Sequence, residues 1–496
     1  MATEADESAL PPADGEPGRD DALAAPVERP ELDADAADAA DAADAADAAD
    51  TPDTTDATEG AGWAAIDWYA CAALFALALL LVGLHVHAYP KLSPVDELQH
   101  VDYVVKAGDF DVPRQNERLG FEAMSEASCR LIDAPEYLPP PCGLDVYDPE
   151  DFPELGFNTA ASQLPPYYTV TGVTSRLIAA IPFIDSQVTA ARLVGALWLG
   201  GALALMWYLL ALFGTPRVTR AVVLPILAAT PLVLFHSATV NVDAVLLLTG
   251  GLVLLTTLKF EQRRLAWWWL LAIYVGTILV EPTNLLTTSV GAAYLGVRLT
   301  SRSDETPPRR ITPFAALLLT LVTRVDLADR LRNWLYPAVP RPRGAGPRPS
   351  NVARAVDEVS LDRVLSQLPS VFTPVSNTYL PPPLRKMFTI NLIQLTNWLL
   401  IGLLFVAAFV YVAKPRLALL ARLVLAAMLL AGPAYTFYYA YFSDVDFPAP
   451  GRFGLPLLPV VVVAAAGAVR SRSAFVVTTA ISAVVVANTA YLLVVA

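Results

Sequence analysis

VTAARLVGALWLGGALALMWYLLALF, residues 188–213, contains one charged side chain, Arg192. A run of this kind is long enough to cross the hydrocarbon core of a bilayer as a helix, which takes about 20 apolar residues. It is one of a series. Near-continuous apolar runs also occur at 69–86, 221–235, 242–258, 265–280, 388–413, 417–442, 455–469 and 474–496. The chain has 496 residues, of which 55% are hydrophobic and 17% charged. A water-soluble chain of this length carries more charge. Helices suit the runs because they satisfy their own backbone hydrogen bonds in lipid. The expected fold is all-α: a polytopic bundle of about eleven transmembrane helices.

The net charge of −14 is unevenly spread. Residues 1–60 carry 19 Asp or Glu and two Arg, a net of −17, which leaves about +3 for the rest. Within this tail Asp recurs at every third position from Asp35 to Asp50 on an Ala background. Like charges three apart oppose a helix, and low-complexity acidic runs stay disordered. The tail also lacks the basic start and early apolar stretch of a signal peptide. The bias towards Arg, Ala, Val and Asp suits a GC-rich, salt-adapted prokaryote.

Loop charge gives the bundle a direction, since Lys and Arg concentrate in cytoplasmic loops. They fall in every second connection: Arg217 and Arg220; Lys259, Arg263 and Arg264; Arg298, Arg302, Arg309 and Arg310; Lys414 and Arg416; Arg470 and Arg472. The alternate connections 236–243 and 281–283 contain neither. The pattern predicts a cytoplasmic N-terminus, an extracytoplasmic C-terminus and residence in the cytoplasmic membrane. The hinge of this topology is the short run 311–325, which ends in Arg324 and Asp326; if it does not cross, every later segment flips. The expected units are an acidic cytoplasmic tail (1–62), an N-terminal transmembrane module (63–325) with a large outer loop (90–187), a second large outer loop (326–387) and C-terminal helices (388–496). The first loop has room for surface helices near 94–107 and 165–182. The second has an amphipathic stretch from Val352 to Leu368. Cys71 reads as a small buried hydrophobe. Cys129 and Cys142, thirteen apart in the first loop, are either a disulfide or two free thiols.

The chemistry-bearing residues gather on the outer side. Ser93-Pro-Val-Asp96-Glu97-Leu-Gln-His100 follows the first span. With Ser93 as N-cap and Pro94 in the first turn, Asp96, Glu97 and His100 would project to one side of a helix. Two carboxylates and an imidazole can deprotonate a hydroxyl or hold a divalent metal such as Mg2+ or Mn2+; they can also simply decorate a helix N-terminus. Other outer ends add Asn241 and Asp243, Glu281-Pro-Thr-Asn284, and Asp444, Asp446 and Arg452. Polar groups from several loops on one side suggest a shared cavity. Arg452 would be its phosphate-binding cation.

Asp96-Glu97-x-x-His100-x-Asp102-Tyr103, followed by Gly108-Asp-Phe-Asp-Val-Pro113, resembles the first-loop motif of the GT-C membrane glycosyltransferases. The likeness is strongest to the group related to dolichyl-phosphate-mannose protein mannosyltransferases. Gln163-Leu-Pro-Pro-Tyr167-Tyr168, Ala191-Arg192-Leu193, His236-Ser-Ala-Thr-Val-Asn241-Val-Asp243 and Pro450-Gly-Arg452-Phe-Gly-Leu-Pro456 resemble later segments in the same order, so the likeness covers about residues 65–470. The resemblance implies sugar transfer from a polyprenyl-phosphate donor to a protein, lipid or glycan acceptor at the outer face. It implies Asp96 as base, Glu97 as its helper or a metal ligand, and Arg452 at the phosphate. His100, Gln163, Tyr167, Asn241, Asp243 and Glu281 would bind substrate. Two departures stand out. Glu281 replaces an expected Lys, and Gln163-Leu164 replaces a common His. A transporter or flippase of a lipid-linked or polar solute, or a non-catalytic membrane protein, is the alternative. Bilayer lipid is an expected partner; nucleic acid is not.

Overall fold

A computed structural model describes residues 64–134, 137–184, 186–301, 306–323, 327–340, 354–355, 360–371, 384–410, 414–443, 445–446 and 449–496. The expected disorder of the acidic tail, the roles given to Arg302, Arg324 and Asp326, and Asp444 lie outside these residues. The regular elements of the described chain are helices, apart from one antiparallel pair of two-residue strands, Arg354–Ala355 with Val445–Asp446, and two isolated bridges.

Seven helices among the described residues are long and apolar enough to cross a membrane. They include α1 (Ala65–Ala88), α5 (Gln187–Leu212) and α8 (Leu246–Glu261, entered through a 3-10 turn from Val242). The other four are α14 (Met387–Phe405), α15 (Pro415–Ser443), α16 (Leu458–Ala468, entered through the turn Gly451–Leu457) and α17 (Arg472–Val495). An eighth is reached if α6 (Arg217–Ala229) and α7 (Pro231–Ala238), bent by 61° between them, form one span. Pro231 explains the break, because its ring cannot continue the preceding helix. One apolar helix is shorter, α9 (Trp267–Val280), and two further short helices follow it, α10 (Leu285–Thr300) and α11 (Pro307–Val322). The chain is therefore a multi-pass helical membrane protein.

Small residues let the helices approach closely, as is usual in membranes. A side chain at Gly195 of α5 would collide with the Ser237 carbonyl, and one at Gly250 of α8 with that of Pro456. Polar side chains tie one end of the bundle together. Asp67 accepts from Trp207 Nε1 (3.1 Å) and from Arg217 Nε (3.0 Å) and Nη2 (2.8 Å). Glu261 accepts from the Tyr294 hydroxyl and Arg298 Nε, both at 2.8 Å, with Arg416 Nε at 3.5 Å.

The described residues of 90–186 form a cap built from α2 (Glu97–Gly108), α3 (Phe121–Arg130) and α4 (Pro166–Ala179), whose apolar core is shared with Val188 and Ala191 of α5 and with the turn at Val240–Val245. Two of these helices stand near the expected positions; α3 adds a third. The start of α2 differs from expectation. Ser93 is not its N-cap and Pro94 is not in its first turn. The helix begins at Glu97, and Asp96 before it is left-handed (φ 55°, ψ 7°). A disulfide joins Cys129 to Cys142, and Cys71 is buried. From the second expected loop come α12 (Ala328–Leu335) and α13 (Leu361–Leu365). Within Val352–Leu368 only α13 is helical among the described residues.

Candidate functional site

The left-handed backbone at Asp96 sends two adjacent carboxylates in opposite directions. Such a conformation is uncommon for a non-glycine residue and is tolerated best by Asn and Asp. Glu97 turns inward and is wholly buried. Its Oε1 accepts from Arg192 Nε (2.8 Å) and the Val240 amide (2.9 Å), its Oε2 from Arg192 Nη2 (2.8 Å) and the Ser93 amide (2.6 Å). Burial alone would raise the Glu97 carboxyl, but Arg192 and these amides outweigh it and hold the group below its usual range. Arg192 also donates to the Tyr89 and Lys91 carbonyls at 2.8 and 2.6 Å. This one ion pair thus fixes the end of α1, the start of α2, α5 and the turn at Val240. An Arg inside an apolar run is a signal in the sequence; its partner, 95 positions away, is not.

The Val240 turn carries Asn241 and Asp243 to the same place. Asn241 caps the turn by accepting from the Asp243 amide at 2.9 Å. Arg452, at the entry to α16, lies between two carboxylates: Nη2 is 3.6 Å from Asp96 Oδ2, and Nε is 3.4 Å from Asp243 Oδ2. Behind Asp243 stands buried His236, with Nδ1 at 3.5 Å.

His100 forms the next wall. Its Nδ1 lies 2.7 Å from the Tyr168 hydroxyl, which itself donates to Gln163 Oε1. The imidazole, the phenol and the amide thus form one hydrogen-bonded chain along the wall. Burial lowers the His100 pKa to about 4; Asp96 opposes that shift and Arg452 adds to it. The ring is neutral at physiological pH. Tyr103 stacks on Tyr168 at 3.7 Å and donates to the Gln163 carbonyl at 3.1 Å. Arg332 of α12 forms a further closure. It is buried, and donates to the carbonyls of Gln163 (3.1 Å), Ala161 (2.6 Å) and Pro113 (2.5 Å).

These elements enclose a cavity of about 600 Å3. Asp96, His100, Gln163, Asn241, Asp243, Glu281 and Arg452 all line it. They come from α2, the α3–α4 connection, the two turns flanking α8 and α9, and the entry to α16. Glu97 and Tyr167 do not reach the wall. Tyr167 is buried against Tyr168 and Trp198, and burial raises its phenol pKa. Gln115, Thr283, Asn333 and Tyr435 also line the cavity. Thr283 falls within the polar segment that the sequence singles out; nothing local marks the other three, because what selects them is the meeting of distant segments.

No protein-family model, curated protein or solved structure matches the chain. The reading of the site therefore rests on its own geometry. The donor set does not fit the metal that Asp96 and Glu97 could hold together. Both Glu97 oxygens are committed to Arg192 and backbone amides, and among the described residues no three His, Cys, Asp or Glu side chains are placed to share an ion. What the site offers is an exposed carboxylate, Asp96 at 56%, facing a guanidinium that is 21% exposed. A carboxylate and a guanidinium share the mouth of one polar cavity.

Proposed function

We propose that this chain is an integral membrane glycosyltransferase of the GT-C type. It moves a sugar from a polyprenyl-phosphate donor to an acceptor hydroxyl at the outer face of the cytoplasmic membrane. The observation that carries this reading is the Asp96–Arg452 pair at the cavity. The donor phosphate displaces Arg452 from its carboxylate partners, and Asp96 takes the proton from the acceptor hydroxyl. The acceptor oxygen bonds to the anomeric carbon as the carbon–oxygen bond to phosphate breaks. The bond's electrons leave on the phosphate, and Arg452 stabilises that growing charge.

This reading takes the eleven-span topology expected from loop charge, under which the cavity faces outward. Two contacts support a crossing at 311–325. At its start Arg309 Nη2 donates to the Phe260 carbonyl, at the basic end of α8. Beyond its other end, Ala328 and Asn333 line the cavity. That placement is what a crossing α11 requires. It also leaves Asp67, Glu261 and their arginines on the cytoplasmic side.

A transporter is the second reading, favoured by the 61° break between α6 and α7, since transporters use discontinuous helices at their sites. Full-length protein reconstituted in liposomes with a polyprenyl-phosphate sugar pool and candidate acceptors separates the two. Wild type is expected to form product, and Asp96→Asn to lose about 10²–10⁴-fold in rate. Equal product from both would end the catalytic assignment. Passage of intact sugar-lipid across the bilayer with no product would favour transport.

A further inference from the structure

Neither ring nitrogen of His236 makes a hydrogen bond among the described residues, although the side chain is only 2% exposed. A polar group buried unpaired is costly, and in a folded protein it asks for an explanation. His236 lies on α7, between the break at Pro231 and the Val240 turn. The backbone after it is fixed. Gly195 lets α5 close on the Ser237 carbonyl, and the Val240 amide donates to Glu97. The imidazole stands edge-on to Phe235, with ring centroids 5.2 Å apart. Its Nδ1 is 3.5 Å from Asp243 Oδ2, in contact but not hydrogen-bonded. Rotation of the ring, with no shift of the helix, would close that gap.

The same Asp243 oxygen is 3.4 Å from Arg452 Nε, while Arg452 Nη2 faces Asp96 at 3.6 Å. Two carboxylates thus divide one guanidinium. On the reading above, the donor phosphate takes that guanidinium. Asp96 is 56% exposed and has water to turn to. Asp243 is 7% exposed, and a buried carboxylate stripped of its cation is strongly unfavourable. Neighbouring donors are committed. Arg192 serves Glu97 and two carbonyls, and His100 Nδ1 is engaged with the Tyr168 hydroxyl. His236 is not committed. A neutral imidazole can carry its proton on either nitrogen, so Nδ1–H can be offered to Asp243 as Arg452 leaves. His236 is not among the described residues that line the cavity, so it acts through Asp243 and not on the ligand.

We infer that His236 is a positioning residue that takes over Asp243 when the donor phosphate draws Arg452 away. The imidazole is unpaired while Arg452 rests on Asp243 and paired while Arg452 holds phosphate. Its unmet hydrogen bond in the resting state therefore favours the phosphate-bound arrangement. This inference deepens the proposed function and rests on it for the phosphate.

The test is binding, which needs no turnover. Full-length protein in lipid nanodiscs is titrated calorimetrically with farnesyl phosphate and with farnesol. Wild type is expected to prefer the phosphate by at least about tenfold. His236→Leu replaces an unpaired buried polar group with an apolar one, so its unfolding temperature is expected to hold or rise. Its affinity for farnesyl phosphate is nevertheless expected to fall about 10–100-fold, with farnesol unaffected. His236→Asn, whose amide can stand in for Nδ1–H, is expected to recover most of that loss. In an Asp243→Asn background there is no charge to take over, and His236→Leu is expected to have no effect on affinity. A phosphate preference that survives His236→Leu overturns the inference and leaves the phosphate reading standing. An equal loss in both backgrounds also overturns it, since His236 would then be merely structural. No phosphate preference in wild type removes the reading and the inference with it. Where no variant at 236 folds, spectra of the chain labelled with 15N-histidine decide. Farnesyl phosphate is expected to shift an imidazole Nδ1 signal, and Asp243→Asn to abolish that shift. No shift, or one that survives Asp243→Asn, overturns the inference.

Discussion

At one end of the bundle Glu261 is 1% exposed and ringed by Tyr294, Arg298 and Arg416. At the other, Asp96 faces Arg452 across 3.6 Å and stays 56% exposed. The residue types are the same, yet the first carboxylate has its hydrogen-bonding capacity filled by protein and the second keeps capacity for something else. Within the cavity end the contrast recurs between neighbours, since Glu97 is saturated by Arg192 while Asp96 is not. Charge in an apolar sequence therefore does not by itself mark a reactive group. Capacity left over after folding is the better marker, and it depends on partners far away in the chain.

The comparison breaks most directly at the saturated end. Glu261→Ala leaves Arg298 beside a partly buried hole, and removing one partner of a buried ion pair destabilises by about 3–5 kcal/mol. Thermal unfolding in detergent is expected to register that loss, while the specific activity of the folded fraction stays near wild type. Loss of transfer at unchanged stability would put chemistry at the wrong end.

A smaller effect belongs to His100. Its folded pKa, about 4, lies below the 6.5 of an unfolded histidine. Between these values the unfolded chain binds a proton that the folded chain does not. Its contribution is intact above pH 6.5 and is lost as pH falls towards 4, by about 3 kcal/mol at most. Unfolding free energies measured from pH 7.5 to 4 are expected to fall more steeply for wild type than for His100→Gln. Parallel curves would mean that the imidazole is not held neutral by burial. The disulfide is worth about 2–3 kcal/mol, from the thirteen-residue separation of Cys129 and Cys142. Double Cys→Ser substitution is expected to lower the unfolding temperature of the protein and to make the cap more susceptible to protease.

Much of this architecture is legible in the sequence, because membrane helices are read from local composition. The runs at 69–86, 188–213 and 474–496 appear as α1, α5 and α17. Asp96, Asn241, Asp243, Glu281 and Arg452, whose segments loop-charge alternation puts at one end, line one cavity. What the sequence hides is the direction of each side chain. A helix starting at Ser93 would have kept Asp96 and Glu97 on one face. The positive φ of Asp96 separates them, and no glycine is present to signal it. Short helices such as α9, with 14 residues, fall below the length by which spans are counted from sequence.

The finest test of the comparison is Arg452→Lys. The substitution keeps the charge and loses the planar fork that meets a phosphate with two hydrogen bonds. It leaves Asp243 with a cation, so the fold is expected to hold to within about 1 kcal/mol. The effect should fall on the donor, as a rise of about tenfold in its KM with a smaller change in kcat. The matching change at the saturated end, Arg416→Lys, touches Glu261 across 3.5 Å and should leave both constants alone. Equal responses at the two ends would mean that Arg452, like Arg416, only balances a buried carboxylate. A KM rise confined to Arg452→Lys would assign its unused hydrogen-bonding capacity to the phosphate.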